Sequence, residues 1–185
     1  MAASRRTSEY LIALGSNVRH VRHGTPERVL EAALAALAAE GLKVLAISPI
    51  MRSAPIGPSR RRYANGAALV ASDLLPDALL AAIKQLERAF GRRRGGQRWG
   101  SRVLDLDIVL WSGGAWASAG LTVPHIAFRQ RGFVLGPASR IAPRWHDPLS
   151  GLTIRQLTAR LTRPRPLPIG GRGGALSSVG RATDF

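Results

Sequence analysis

The sequence predicts an α+β domain: a ferredoxin-like split β-α-β core, with a mainly antiparallel sheet and helices packed on it. Three observations carry this. Apolar runs and apolar stripes at helical spacing follow each other in the order strand, helix, strand, strand, helix, strand. Both main helical stripes open at a proline, Pro26 and Pro76, and stop at a glycine, Gly41 and Gly91. The chain has 185 residues with an apolar share of 45%, enough for one domain with a sizeable core plus tails.

Residues 1–8 are small, polar and basic and are expected to form a disordered start; 9–163 make up the folded domain. Tyr10 to Leu14 reads as a buried strand that stops at the turn Gly15-Ser16-Asn17. Thr25-Pro26-Glu27 opens a helix with Thr25 as N-cap, and Val29, Leu30, Ala33, Leu34 and Leu37 form its buried stripe. Val44 to Met51 and Tyr63 to Ser72 read as strands, separated by a loop holding Pro55, Gly57 and Pro58. The second helix carries Leu79, Leu80, Ile83, Leu86 and Phe90. A basic, glycine-rich loop, Gly91 to Arg102, then feeds the strand Val103 to Trp111. Leu121 to Pro124 is expected to be extended, Ile126 to Leu135 a short helix, and Thr153 to Leu161 a final helix. Residues 164–185 turn to Pro, Gly, Arg and Ser and are expected to be a disordered tail.

Composition narrows the function classes. No apolar run is long enough to cross a bilayer, and the start lacks the apolar segment of a secretory signal. With no cysteine, disulfides and thiolate metal sites are excluded, which is compatible with a reducing, cytoplasmic setting. The formal charge is +16, from 27 basic residues of which only Lys43 and Lys84 are lysines. Such a field attracts nucleotides, nucleic acid or acidic lipid. Codon bias in a GC-rich genome explains an arginine excess equally well, but not where particular arginines sit.

Between Glu87 and Asp147 the only acids are Asp105 and Asp107. Arg92, Arg93, Arg94, Arg98 and Arg102 precede them, and Arg129, Arg131, Arg140 and Arg144 follow. Aspartate is unfavourable in strands, yet these two interrupt Val103-Leu-Asp-Leu-Asp-Ile-Val-Leu110. Residues two apart share a strand face, so Leu104, Leu106, Ile108 and Leu110 are expected to face a core while Asp105 and Asp107 lie side by side opposite. Adjacent carboxylates repel unless a cation lies between them. Mg²⁺ fits, taking its remaining ligands from water and substrate phosphates, with arginines gripping the phosphate charge left over. That is the equipment of phosphoryl transfer. The competing reading is a solvated strand face whose acids pair with neighbouring arginines. Tyr63 and Asn65 share a face and could stack on and hydrogen-bond a flat ring, or Tyr63 could be a sheet-edge aromatic. His125 could contact phosphate or sit on the surface, and His20, His23 and His146 show no metal spacing.

Together these segments resemble one family, the 6-hydroxymethyl-7,8-dihydropterin pyrophosphokinases. The matching pieces are Ala13-Leu-Gly-Ser-Asn17, Arg52-Ser-Ala-Pro-Ile-Gly-Pro58, Tyr63-Ala-Asn65, Gly91-Arg92, Arg98-Trp-Gly-Ser-Arg-Val-Leu-Asp-Leu-Asp-Ile108, Leu121-Thr-Val-Pro-His125 and Arg131-Gly-Phe133. The resemblance implies transfer of pyrophosphate from ATP to the hydroxymethyl group of a reduced pterin, releasing AMP, in folate biosynthesis. It implies that Asp105 and Asp107 bind two Mg²⁺ ions and that Arg92 and Arg102 are catalytic. It implies an ATP site of Glu87, Arg94, Arg98, Trp99, Ile108, Thr122, His125 and Arg131. It places the pterin between Tyr63 and Phe133, with Asn65, Ser53, Pro55 and Ile56 at its edge. ATP and the pterin are then the expected partners of a monomer that needs neither membrane nor nucleic acid.

The chain departs from the family pattern at Ser53-Ala54-Pro55, Lys84, Gly120 and Ile126. At Gly120 an ATP-contacting arginine is common, and Lys84 or Arg129 is expected to supply the missing cation. The alternatives are a catalytically weak homologue and a basic RNA-binding module, the latter because Arg131-Gly-Phe133-Val134 resembles part of a strand motif that stacks on bases.

Overall fold

The computed structural model describes residues 7–54, 62–91 and 102–164. In chain order it contains β1 (Ser8–Ser16), α1 (Pro26–Ala39), β2 (Lys43–Ile47), β3 (Met51–Ser53), β4 (Tyr63–Ser72), α2 (Pro76–Ala89) and β5 (Asp105–Trp111). These are followed by β6 (Trp116–Ala117), β7 (Thr122–Val123), a 3₁₀ turn (Phe128–Gln130), α3 (Gly132–Ile141) and α4 (Ile154–Thr162). The main sheet runs β2-β4-β1-β5, every pair antiparallel, with β3 also paired to β4. This is the strand order of a split β-α-β sheet, as the element order predicts.

The sheet separates two apolar cores. On one face α1 and α2 pack Leu30, Leu37 and Ile83 against Ile12, Leu106 and Ile108. On the other, α3, α4 and the 3₁₀ turn pack Leu135, Ile154 and Phe128 against Leu11, Val109 and Leu110. Each such side chain taken out of water contributes about 1.5–3 kcal/mol, so both faces are pinned. The helix boundaries obey local rules. Pro26 and Pro76 lie in the first turns of their helices, and Gly41 and Gly91 follow the last turns with φ of 84° and 87°. Thr25 occupies the N-cap position of α1 without a side-chain cap bond, whereas Thr153 caps α4 in a full capping box with Gln156.

Four expectations are corrected. The strand expected over Val44 to Met51 is two strands. Pro49 has no N–H for the ladder, and Ser48 bridges the gap by accepting from the Ala67 N–H through its Oγ and donating its own N–H to the Ala67 carbonyl, both at 2.9 Å. Leu110 does not face with Leu104, Leu106 and Ile108. Ile12 pairs with Ile108 and Leu11 with Leu110, so Val109 is an extra residue in a bulge, and Val109 and Leu110 both enter the α3–α4 core. The helix expected over Ile126 to Leu135 is broken at Arg131, whose extended backbone (φ −108°, ψ 97°) ends the 3₁₀ turn and caps α3, which continues to Ile141. Ser8 already pairs with Ser72, so β1 begins inside the expected disordered start. Residues 1–6 and the tail beyond Pro164 lie outside the described residues, as does nearly all of the loop between Gly91 and Arg102. Among the described residues no helix is long and apolar enough to cross a membrane.

Candidate functional site

On the face that carries α3, the helix leaves the ends of β1, β4 and β5 uncovered. There Gly15 pairs with both Asn65 and Asp105, and Ala13 with Asp107. The small Ala13 and Gly15 make a floor between Asp105 and Asp107 on one side and Tyr63 and Asn65 on the other. Phe133 and Val134, at the start of α3, form a wall, and Ser53, Ala54, Arg102 and Arg131 complete a cleft of about 300 Å³. That volume lies at the small end for ligand pockets and suits a bicyclic ring. Eight residues singled out from sequence thus converge: Ser53, Tyr63, Asn65, Arg102, Asp105, Asp107, Arg131 and Phe133.

The two carboxylates have cations on both flanks. Arg102 Nη1 donates to Asp105 Oδ2 at 2.6 Å. Arg131 Nη1 lies 3.8 Å from Asp107 Oδ2, and His125 Nε2 lies 3.8 Å from the same oxygen. Burial pushes the Arg102 guanidinium down, but the Asp105 carboxylate beside it outweighs this and holds it above its ordinary value. For His125 burial dominates: it lowers the pKa, Asp107 opposes this and Arg131 reinforces it, so the imidazole is neutral at neutral pH. Its Nδ1 accepts from the Ala127 N–H at 3.2 Å, which puts the proton on Nε2, facing Asp107. Asn65 Nδ2 donates to Ser53 Oγ at 2.8 Å, so the two polar groups expected at a ring edge orient each other.

Among the described residues no group of three or more His, Cys, Asp or Glu could hold a metal. The protein's contribution is two hard carboxylates on one sheet face. That set fits Mg²⁺, which draws its other ligands from water and phosphate, and fits poorly to metals that need a cage of protein ligands.

Other expected residues sit elsewhere. Ile108 is buried in the α1–α2 core, and Thr122 is exposed on β7. Glu87, expected to face a nucleotide pocket, is fully buried; it accepts from the Leu106 N–H at 2.8 Å, between the two aspartates in sequence, and from Lys84 Nζ at 3.0 and 3.1 Å. Lys84 and Arg129, expected to replace a cation at position 120, pair with Glu87 and Asp147 respectively. The RNA-binding alternative loses its footing too, because Arg131-Gly-Phe133-Val134 opens a helix rather than lying on a strand. Arg92, Arg94, Arg98, Trp99, Pro55 and Ile56 lie outside the described residues. The sequence reading missed Asn17, whose backbone and side chain both bond Arg102, and the Arg129–Asp147 pair. A motif ending in Asn17 marked the first; nothing local marked the second.

Comparison with known proteins places this geometry among relatives. Residues 11–143 match the family model described as 7,8-dihydro-6-hydroxymethylpterin-pyrophosphokinase. A 2-amino-4-hydroxy-6-hydroxymethyldihydropteridine pyrophosphokinase from Synechocystis is 38% identical over 80% of this chain and 73% of its own. Namesakes from Methylorubrum extorquens (36% identical, 84% and 94% covered) and Pseudomonas aeruginosa (39% identical, 71% and 79% covered) are similar. A crystal structure of Plasmodium falciparum HPPK-DHPS superposes with a TM-score of 0.64 at 13% identity; the match covers 86% of this chain and 42% of the longer one, and it speaks for the fold alone.

Proposed function

The chain belongs to the 7,8-dihydro-6-hydroxymethylpterin-pyrophosphokinase family, and from that premise we propose that the cleft over Asp105 and Asp107 is its active site. The reaction is transfer of pyrophosphate from ATP to 6-hydroxymethyl-7,8-dihydropterin, giving the pterin diphosphate and AMP, in folate biosynthesis. The observation that supports the location is the pairing of Asp105 and Asp107 on one face, flanked by Arg102 and Arg131 and opening onto an aromatic-walled cleft.

In this reading Tyr63 and Phe133 hold the pterin ring, while Asn65 and Ser53, already bonded to each other, meet its polar edge. The substrate hydroxyl then attacks the β-phosphorus of ATP and gives up its proton to water, the bond to the α,β-bridging oxygen breaks, and AMP leaves. Bound magnesium would supply neutralisation of the phosphate charge and polarisation of the phosphorus, and Asp105 and Asp107 would hold it. Arg102 and Arg131 grip phosphate oxygens that the metal leaves exposed. Neutral His125 offers an Nε2 proton to phosphate without adding charge. Glu87 acts through the backbone, fixing the Asp-Leu-Asp segment from behind. Arg92, Arg94, Arg98 and Trp99 keep the roles that the family resemblance gives them, as does a count of two Mg²⁺ ions per site. A monomer in the cytoplasm completes the reading.

Two measurements test it. With ATP, Mg²⁺ and the reduced pterin, Asp105→Asn and Asp107→Asn are expected to lose turnover to AMP by orders of magnitude while circular dichroism stays native. Near-normal turnover in either variant removes the metal assignment. Titration with Mn²⁺ in the presence of a non-hydrolysable ATP analogue is expected to give two ions bound per chain, and one ion in the wild type refutes the pair.

A further inference from the structure

Beyond residue 143, where the family match ends, the chain makes a compact loop before α4. His146 and Thr153 pair across its neck, the Asp147 N–H donates to the Leu152 carbonyl, and the Gly151 N–H donates to the Asp147 carbonyl, the last two at 2.9 Å. Asp147 itself is fully buried. Its carboxylate takes a two-pronged grip from Arg129, Nε to Oδ2 and Nη2 to Oδ1, each at 2.7 Å. Ser150 Oγ donates to Oδ2, and the Leu149 N–H donates to Oδ1 at 3.2 Å. The Arg129 guanidinium also lies over the ring of Phe128, 4.8 Å from its centre, and Phe128 is buried in the α3–α4 core.

Arg129 stands four residues after His125 and two before Arg131. That short segment is tied at both ends: the His125 N–H donates to the Val109 carbonyl at 3.0 Å, and the Arg131 carbonyl accepts from the N–H groups of Val134 and Leu135 at 2.9 Å. Between those ties, the one ion pair on the segment's outer side is Arg129–Asp147, among the described residues. A buried ion pair adds little net stability compared with apolar residues of the same size, but a planar two-pronged one fixes orientation. We infer that the Arg129–Asp147 pair is a positioning device for catalysis: it sets the 3₁₀ turn from which His125 and Arg131 reach Asp107. A stretch of chain beyond the family model's match, though within the span aligned to its relatives, thus sets the geometry of the nucleotide side of the cleft. The inference rests on the proposed placement of ATP beside His125 and Arg131.

The test uses the full chain and four variants: Arg129→Met, Asp147→Asn, the double variant Arg129→Met/Asp147→Leu, and Arg131→Ala. The double variant replaces the whole pair by apolar groups, which buried pairs commonly tolerate without loss of stability, so it keeps a folded protein in hand. Melting temperature and near-ultraviolet circular dichroism report the fold; KM for ATP, KM for the pterin and kcat report the site. Breaking the pair is expected to raise the ATP KM roughly ten- to a hundred-fold, as loss of a supporting partner does at metal sites, with the pterin KM little changed. Placed in an Arg131→Ala background, Arg129→Met is expected to add less than about twofold, because the two act through one contact. An unchanged ATP KM in the folded double variant overturns the inference, as does full multiplication of the Arg129→Met and Arg131→Ala effects. If Arg131→Ala raises the ATP KM and the pair variants do not, the pair alone fails. If Arg131→Ala leaves the ATP KM unchanged, the placement of ATP fails and takes the pair's purpose with it.

Discussion

Asn17 and Arg102 are bonded twice across 85 positions of chain: the Asn17 N–H donates to the Arg102 carbonyl at 3.0 Å, and the Arg102 N–H donates to Asn17 Oδ1 at 2.8 Å. Arg102 is where the basic loop rejoins the sheet, and its guanidinium reaches Asp105 from this fixed base. The end of β1 therefore sets the origin of a side chain read as catalytic.

Asn17→Ala is expected to lower kcat by about two- to tenfold while changing the pterin KM little. Asn17 is 4% exposed, so truncation leaves the Arg102 N–H without its acceptor in a buried place, a cost of roughly 1–3 kcal/mol. If half of that is felt as misplacement of the guanidinium in the transition state, a loss of about two- to tenfold in rate follows. Steady-state kinetics on a variant with native circular dichroism checks this, and an unchanged kcat means that Arg102 needs no such anchor.

Glu87→Ala is expected to destabilise the fold by roughly 1–3 kcal/mol, because the buried Leu106 N–H loses its acceptor. Glu87→Gln keeps an acceptor oxygen and is expected to cost less. Urea denaturation orders the two. Equal stabilities would mean that the carboxylate on α2 does not hold β5, and its place in the site would have to be sought at the nucleotide after all.

Phe133→Ala is expected to weaken reduced-pterin binding by about ten- to a hundred-fold, since a ring stacked on an aromatic side chain gains about 1–3 kcal/mol. ATP binding should change less, because His125 does not line the cleft and Phe133 meets the phosphate side only through Arg131, whose guanidinium lies 5.8 Å from its ring centre. Fluorescence titration with each substrate separates the two effects; a loss confined to ATP would move the ring to another wall.

The element order and the Asp-Leu-Asp pattern were legible because they follow period-two and helical spacing, which sequence states directly. The same rule misplaced Leu110, because a bulge at Val109 resets the alternation and depends on the partner strand β1. The break at Pro49 was written in the chain, yet only the Ser48 bonds to Ala67 show how β4 absorbs it. At the site, side chains that project from strands were found, whereas Glu87 was placed at the nucleotide although its carboxylate turns inward to a backbone N–H. A helix stripe gives which face a residue is on, not which atom it meets. Asp147 was invisible for a related reason: its importance comes from Arg129, 18 positions away, and no spacing rule links a loop to a 3₁₀ turn.

The Asp147 carboxyl gives a pH signature. Burial pushes its pKa up, but hydrogen bonds from Arg129, Ser150 and the Leu149 N–H, with the charge of Arg129, outweigh burial and hold it below the ordinary value of 3.8. A carboxyl whose pKa is depressed on folding stabilises the folded state above its unfolded pKa, and that contribution is lost as pH falls through the folded value. The stability difference between the wild type and Asp147→Asn is therefore expected to be constant at neutral pH and to shrink as pH falls below the ordinary carboxyl value of 3.8. Urea denaturation of both proteins across that range measures it. A difference that stays flat would mean that the carboxyl titrates alike folded and unfolded, which the two-pronged grip of Arg129 does not allow.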